Sequence, residues 1–103
     1  VKPRRYARPM REIPSDLPGA DLIAAGLRDL EAGVETEESL LVQMAAPRLE
    51  RLGIAVPGGA DAGAGHRLYA LMSDGTPAAH SRYRAALRRI ASFAGAAEHA
   101  TTR

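Results

Sequence analysis

The stretch TPAAHSRYRAALRRIASFAGAAEH, from Thr76 to His99, decides how the rest of this chain is read. Thr76 is a helix-capping residue type. Pro77 follows at the first helical position, where a missing N–H costs nothing and φ is already set. From there Ala79, Tyr83, Ala86, Leu87, Ile90, Phe93, Ala94 and Ala97 return to one side every three or four residues. Arg82 and Arg89 border that apolar stripe on one side, Arg84 and Arg88 on the other. A helix over Pro77–Glu98 must therefore bury its stripe and hold its guanidinium groups in water or against an anion.

Working back towards the N-terminus, Asp74-Gly75 reads as a turn, and the preceding helix covers roughly Ala64–Ser73 with Leu68, Leu71 and Met72 inward. Ala55 to Gly65, rich in Gly and Ala, reads as a flexible connector. Ahead of it a short helix spans Pro47–Leu52. Leu49 and Leu52 face inward, Gly53 closes it, and Ile54 is placed for the apolar contact that accompanies such a stop. Pro47 separates this piece from a helix over Thr36–Ala46. Thr36 is its N-cap, and Glu37 and Glu38 meet the positive end of the helix dipole. Leu40, Leu41, Val42 and Met44 point nearly all round that helix, so it reads as the central one, with surplus apolar surface for an oligomer contact. The first helix runs from about Pro18 to Ala32, with Gly33 as its stop. Its seam is Ile23, Gly26, Leu27 and Leu30, with Leu22 at the edge. Gly26 on that seam costs up to about 1 kcal/mol of helix propensity, which the close approach of another helix backbone would offset.

Residues 1–14 carry three prolines, five basic residues and no periodicity, and read as a flexible basic arm. Met10 within it is a candidate translation start, which would leave residues 1–9 outside the natural protein. The domain proper is expected over 15–99, with a frayed tail at 100–103. These readings give an all-α fold, a small bundle of four to five helices with a long amphipathic C-terminal helix.

Composition narrows the function classes. With 103 residues there is room for one domain, and Leu, Ile, Val and Phe together number only 20, so alanines must carry much of the packing. Cysteine is absent, which excludes disulfides and thiolate metal sites. No apolar run nears the roughly 20 residues of a membrane span, so a cytoplasmic protein is expected. The net charge of +2 hides an uneven distribution. Residues 1–14 are +4, residues 15–75 are −6, and residues 76–103 are +4. Basic ends around an acidic middle suit either docking on an acidic surface or contact with a polyanion.

Arg82, Arg84, Arg88 and Arg89, with Arg4, Arg5 and Arg8 of the arm, are the candidate anion or nucleic-acid contacts. The ordinary alternative is that arginines bordering an apolar stripe cover it with their stems and pair with Glu35, Glu37, Glu38 or Glu50. Base readout is poorly served by a chain with no Asn and one Gln. The two helices joined at Pro47 do not make a helix-turn-helix, because the second is too short to enter a groove. Gly58–Gly65 before His66 lacks the Gly-Lys-Ser/Thr of a phosphate loop. His66, His80 and His99 have no ligand spacing, and Ser81 beside His80 points about 100° away from it on a helix. We therefore expect no catalytic residues, no cofactor and no metal. The reading is a non-enzymatic protein–protein interaction module, self-associating as a homodimer or binding another protein. The alternative is a nucleic-acid-binding accessory or regulatory protein that uses the basic helix face and the arm.

Overall fold

The computed structural model describes residue 13, residues 15–73 and residues 78–101. Among these residues there are five helices and no strand: α1 (Ala20–Ala32), α2 (Glu37–Met44), α3 (Ala46–Arg51), α4 (Ala64–Met72) and α5 (Ala78–Thr101). The fold is the small helical bundle with a long last helix that the periodicity implies. Ile13 is half-buried against the core; the rest of the basic arm, the Asp74-Gly75 turn and the Thr76–Pro77 cap lie outside the described residues.

Helix α1 begins two residues later than Pro18. Gly19, at φ 80°, turns the chain into the helix and accepts from the Ile23 N–H at 3.1 Å. A Cβ at Gly19 would stand 3.0 Å from the Arg89 carbonyl oxygen, so α1 enters pressed against α5. At the other end Gly33 stops the helix as expected: its N–H donates to Leu30 O, and the Val34 N–H to Asp29 O. Leu22 is buried where the sequence put it at an edge, while Leu27 and Leu30 are half-buried.

Gly26 is where α1 meets α2. A Cβ there would lie 2.4 Å from Val42 Cγ2 and 2.5 Å from the Glu38 carbonyl oxygen. The helix-propensity cost of glycine is met by a backbone contact that no side chain would permit.

Helix α2 is the centre of the bundle. It packs most extensively on α1 and α4 and also touches α5 and α3. Its start is a reciprocal cap: Thr36 Oγ1 accepts from the Ser39 N–H at 3.1 Å, and Ser39 Oγ accepts from the Thr36 N–H at 2.8 Å. Thr36 Oγ1 also donates to Asp29 Oδ2 at 2.7 Å, tying the cap to α1. Leu40, Leu41 and Val42 are 0%, 2% and 0% exposed, in one core with Ile23, Leu49, Leu68 and Phe93. Burying a side chain of this size contributes roughly 1.5–3 kcal/mol, so this cluster is the main source of stability.

The break before Pro47 falls at Ala45, and Ala46 rather than Pro47 opens α3. Proline fits only the first turn, which fixes where α3 begins. Gly53, at φ 92°, ends it: its N–H donates to Glu50 O, and the Ile54 N–H to Leu49 O, with Ile54 in the core as expected.

Two expectations fail in the connector and α4. The segment 55–63 is a series of turns pinned to the protein. Val56 enters the core, Gly59 N–H donates to Val56 O at 2.8 Å, and Asp61 Oδ1 accepts from Gly63 N–H at 2.9 Å. Leu71, expected inward, is 51% exposed: Leu68 and Met72 take the face against α2, and among the described residues no helix covers the flank where Leu71 stands. Along α5, Ala79, Ile90, Phe93, Ala94 and Ala97 are buried, and Tyr83, Ala86 and Leu87 are half-buried against the core. The helix continues to Thr101, past the expected fraying point at Ala100. No helix of the described residues is long and apolar enough to cross a membrane.

Candidate docking groove

The arginines that the sequence grouped as one basic face are divided by the fold. Arg82 donates from Nη2 to the Met72 carbonyl at 2.7 Å, an interaction that holds the end of α4 against α5. Arg89 reaches Asp21 Oδ1 at 3.4 Å. Both line a cleft of about 240 Å³ whose other wall carries Glu37 and Glu38. That side of α5 is mixed in charge and tied into the structure. Arg84 and Arg88 lie on the opposite, solvent-facing side, and neither has a salt-bridge partner among the described residues. Arg4, Arg5 and Arg8 lie outside the described residues.

The oligomer contact assigned to α2 needs correction. Leu40, Leu41 and Val42 are consumed inside the chain's own core and present no surface to a partner. The apolar residues of α2 other than Met44 are buried within one chain here, because α1, α4 and α5 pack around it. Met44 alone of the four is partly exposed.

Met44 opens onto an apolar concave surface. A groove of about 290 Å³ runs between α3 and α5. Met44, Ala45 and Pro47 form one wall, Leu87, Ile90, Ala91 and Ala94 the floor and far wall, and Arg48 and Arg51 the rim. Pro47 creates it: the chain turns at Ala45, so α3 leaves the line of α2 and stands off from α5. Helical spacing then sets Arg84 and Arg88 beside Leu87 and Ala91 on the solvent side of the opposite rim.

One end of the groove is closed by an ion pair. Arg48 Nε and Nη2 donate to the two carboxylate oxygens of Glu98 at 2.5 and 2.7 Å, the bidentate geometry suited to guanidinium and carboxylate. The hydrogen bonds from Arg48 are the largest cause holding the Glu98 carboxyl below the usual carboxylate range; desolvation opposes them, and the charges of Arg48 and Arg51 add to them. Arg48 is held correspondingly above its ordinary value by the same bond. Arg51 remains exposed, with no salt bridge among the described residues.

A second charged cluster lies at the start of α4. Arg67 bridges Asp61 at 3.0 Å and Glu35 at 3.2 Å, and the Asp61 carboxyl is held low, first by Arg67 and then by the Gly63 N–H. The helix terminus that follows the glycine-rich segment is thus already answered by a carboxylate of the same chain. The three histidines are exposed; His80 lies edge-on to Tyr69, and Tyr69 edge-on to Tyr83 with ring centroids 5.0 Å apart. Tyr69 is 41% exposed. Among the described residues no group of three His, Cys, Asp or Glu side chains is placed to hold a metal ion.

Sequence reasoning did not connect Arg48 and Arg51 to Glu98. A signal was present: Glu98 is the one acid among the last 28 residues, set in a segment otherwise basic. No family model, curated protein or solved structure matches this chain.

Proposed function

We propose that this chain is a non-enzymatic protein–protein interaction module that works through the groove between α3 and α5. The observation that carries this reading is the groove itself. It is an apolar trough left open in a small protein whose other large apolar residues are mostly spent in one core, and three cations without salt bridges among the described residues, Arg51, Arg84 and Arg88, stand along its sides. Exposed aliphatic floor with a polar rim is the anatomy of a protein-binding surface. Of the apolar residues of α2, Met44 is the one that reaches this groove.

The test is a peptide-display selection on the immobilised full chain, followed by binding of the recovered peptides to Ala91→Arg. Ala91 is exposed, so arginine there fills the floor without disturbing the core. The reading expects enriched peptides that lose most of their affinity for Ala91→Arg. Recovered peptides indifferent to that change would contradict it.

One observation favours a nucleic-acid reading in second place. His80, Arg84 and Arg88 form an i, i+4 row on the outer face of α5, and the exposed ring of Tyr69 lies against His80. That reading predicts an affinity for single-stranded oligonucleotides that falls steeply with salt.

A further inference from the structure

We infer that the occupant of the α3–α5 groove is an acidic amphipathic helix of another protein, a conclusion that rests on the interaction-module reading and names its partner class. Shape comes first. Leu87, Ala91 and Ala94 follow one another at i, i+4 and i+7, the seam spacing of two packed helices. Ala91 and Ala94 keep the floor low, and Gly95 beside them has nothing nearer to its missing side chain than Arg48 Nη2 at 4.0 Å. A helix backbone can settle there; a bulkier floor would hold it off. From Arg84 to Ala94 the seam is about 15 Å long at the α-helical rise, close to three turns. A partner segment of roughly 10–12 residues covers it.

Charge selects the chemistry. Arg51 stands on the α3 side, and Arg84 and Arg88 on the α5 side, each without a salt bridge among the described residues. A helix with an apolar stripe flanked by carboxylates meets both rims at once, and guanidinium groups bind carboxylates in paired hydrogen bonds. Glu98 already neutralises Arg48, so the partner's carboxylates belong against Arg84 and Arg88 on one rim and Arg51 on the other. A nucleic acid would use the rims and leave the apolar floor wet. A second copy of this chain is a poor fit: outward on α1 stand Asp21, Arg28 and Glu31 in mixed sign, and its apolar side faces α2.

The experiment titrates a fluorescent helical peptide of about 14 residues, leucines on one face and glutamates on both flanks, into the full chain at moderate salt. Saturable binding is expected, with at least a tenfold loss for Arg51→Gln combined with Arg88→Gln, and a similar loss for Ala91→Arg. All three substituted positions are exposed or on the groove floor, and thermal melting of each variant checks that the fold is kept. The same peptide with lysines for glutamates is expected not to bind. Absence of saturable binding, equal binding of the lysine peptide, or binding unchanged by the arginine substitutions would overturn the inference. So would displacement of the peptide by a single-stranded oligonucleotide at lower concentration, or association of the chain with itself that Ala91→Arg abolishes. Should display recover groove-binding peptides without acidic residues, the partner class is wrong and the interaction-module reading stands.

Discussion

Two helix pairs in this molecule are built from the same small and aliphatic residue types and reach opposite outcomes. Between α1 and α2 the contact is so close that a single methyl at Gly26 would collide with the Glu38 carbonyl. Between α3 and α5 the same kinds of side chain leave about 290 Å³ open, and Gly95 has free space where a methyl would go. Chain connection explains the difference. The short turn from Gly33 to Thr36, fixed by Asp29 and Thr36, folds α1 directly back on α2. Pro47 diverts α3 away, and α3 is held to α5 by the long reach of Arg48 to Glu98. Small residues close an interface only where the connections let the helices come together.

The largest predicted effect breaks the closed pair. Gly26→Ala is expected to destabilise the protein by about 2–3 kcal/mol, because the atom it meets is backbone and cannot swing aside. For a domain of this size that lowers the melting temperature by roughly 10 °C. Calorimetry or thermal circular dichroism would show it, and a neutral result would mean that α1 and α2 are further apart than described.

Next in size is the cap. Ser39→Ala removes a buried hydroxyl that accepts from the Thr36 N–H and donates to the Thr36 carbonyl at 3.0 Å. A loss of about 1–2 kcal/mol is expected in chemical denaturation, with an unchanged urea slope.

The counterpart of Gly26→Ala in the open pair has the opposite sign. Gly95→Ala adds a methyl to an unobstructed place in α5 and is expected to stabilise by about 0.5–1 kcal/mol through helix propensity and a stiffer unfolded chain. Making both substitutions in parallel sharpens the contrast: one glycine is required by its neighbour, the other is not.

The smallest effect concerns the pair that spans the open side. Side chains of Arg48 and Glu98 are 40% and 37% exposed, so Arg48→Ala is expected to cost no more than about 1 kcal/mol. The sign of its pH dependence follows from the depressed Glu98 carboxyl. The pair's contribution is present above the ordinary carboxylate range and is lost as pH falls through the lower folded value. The difference in stability between Arg48→Ala and the unaltered protein should therefore shrink towards zero in acid. A difference that persists there would assign the role of Arg48 to packing by its stem.

Much of this architecture was legible because it is written in local rules. Thr36, Gly33 and Gly53 mark helix ends by backbone chemistry, and the stripe on α5 by its period. Gly26 advertised a close contact by being costly where it stands. What local rules do not carry is which helix covers which flank. Leu71 is periodic and exposed, Leu40, Leu41 and Val42 looked like surplus and are core, and Arg82 and Arg84 stand two residues apart with unlike environments. Leu71 and the two arginines depend on the path taken after Pro47, and the burial of α2 depends also on the return of α1 against it; no window of sequence contains either. The groove was invisible for the same reason: its walls come from residues 44–51 and 87–94, far apart in the chain.

The most direct measurement of the central claim is amide-resolved magnetic resonance of the full chain during titration with the glutamate-flanked helical peptide. The account predicts shifts confined to residues 44–51 and 84–98, with amides of α1 unmoved. Shifts centred on Arg82, Arg89 and the cleft beside Glu37, or no shifts at all, would contradict it.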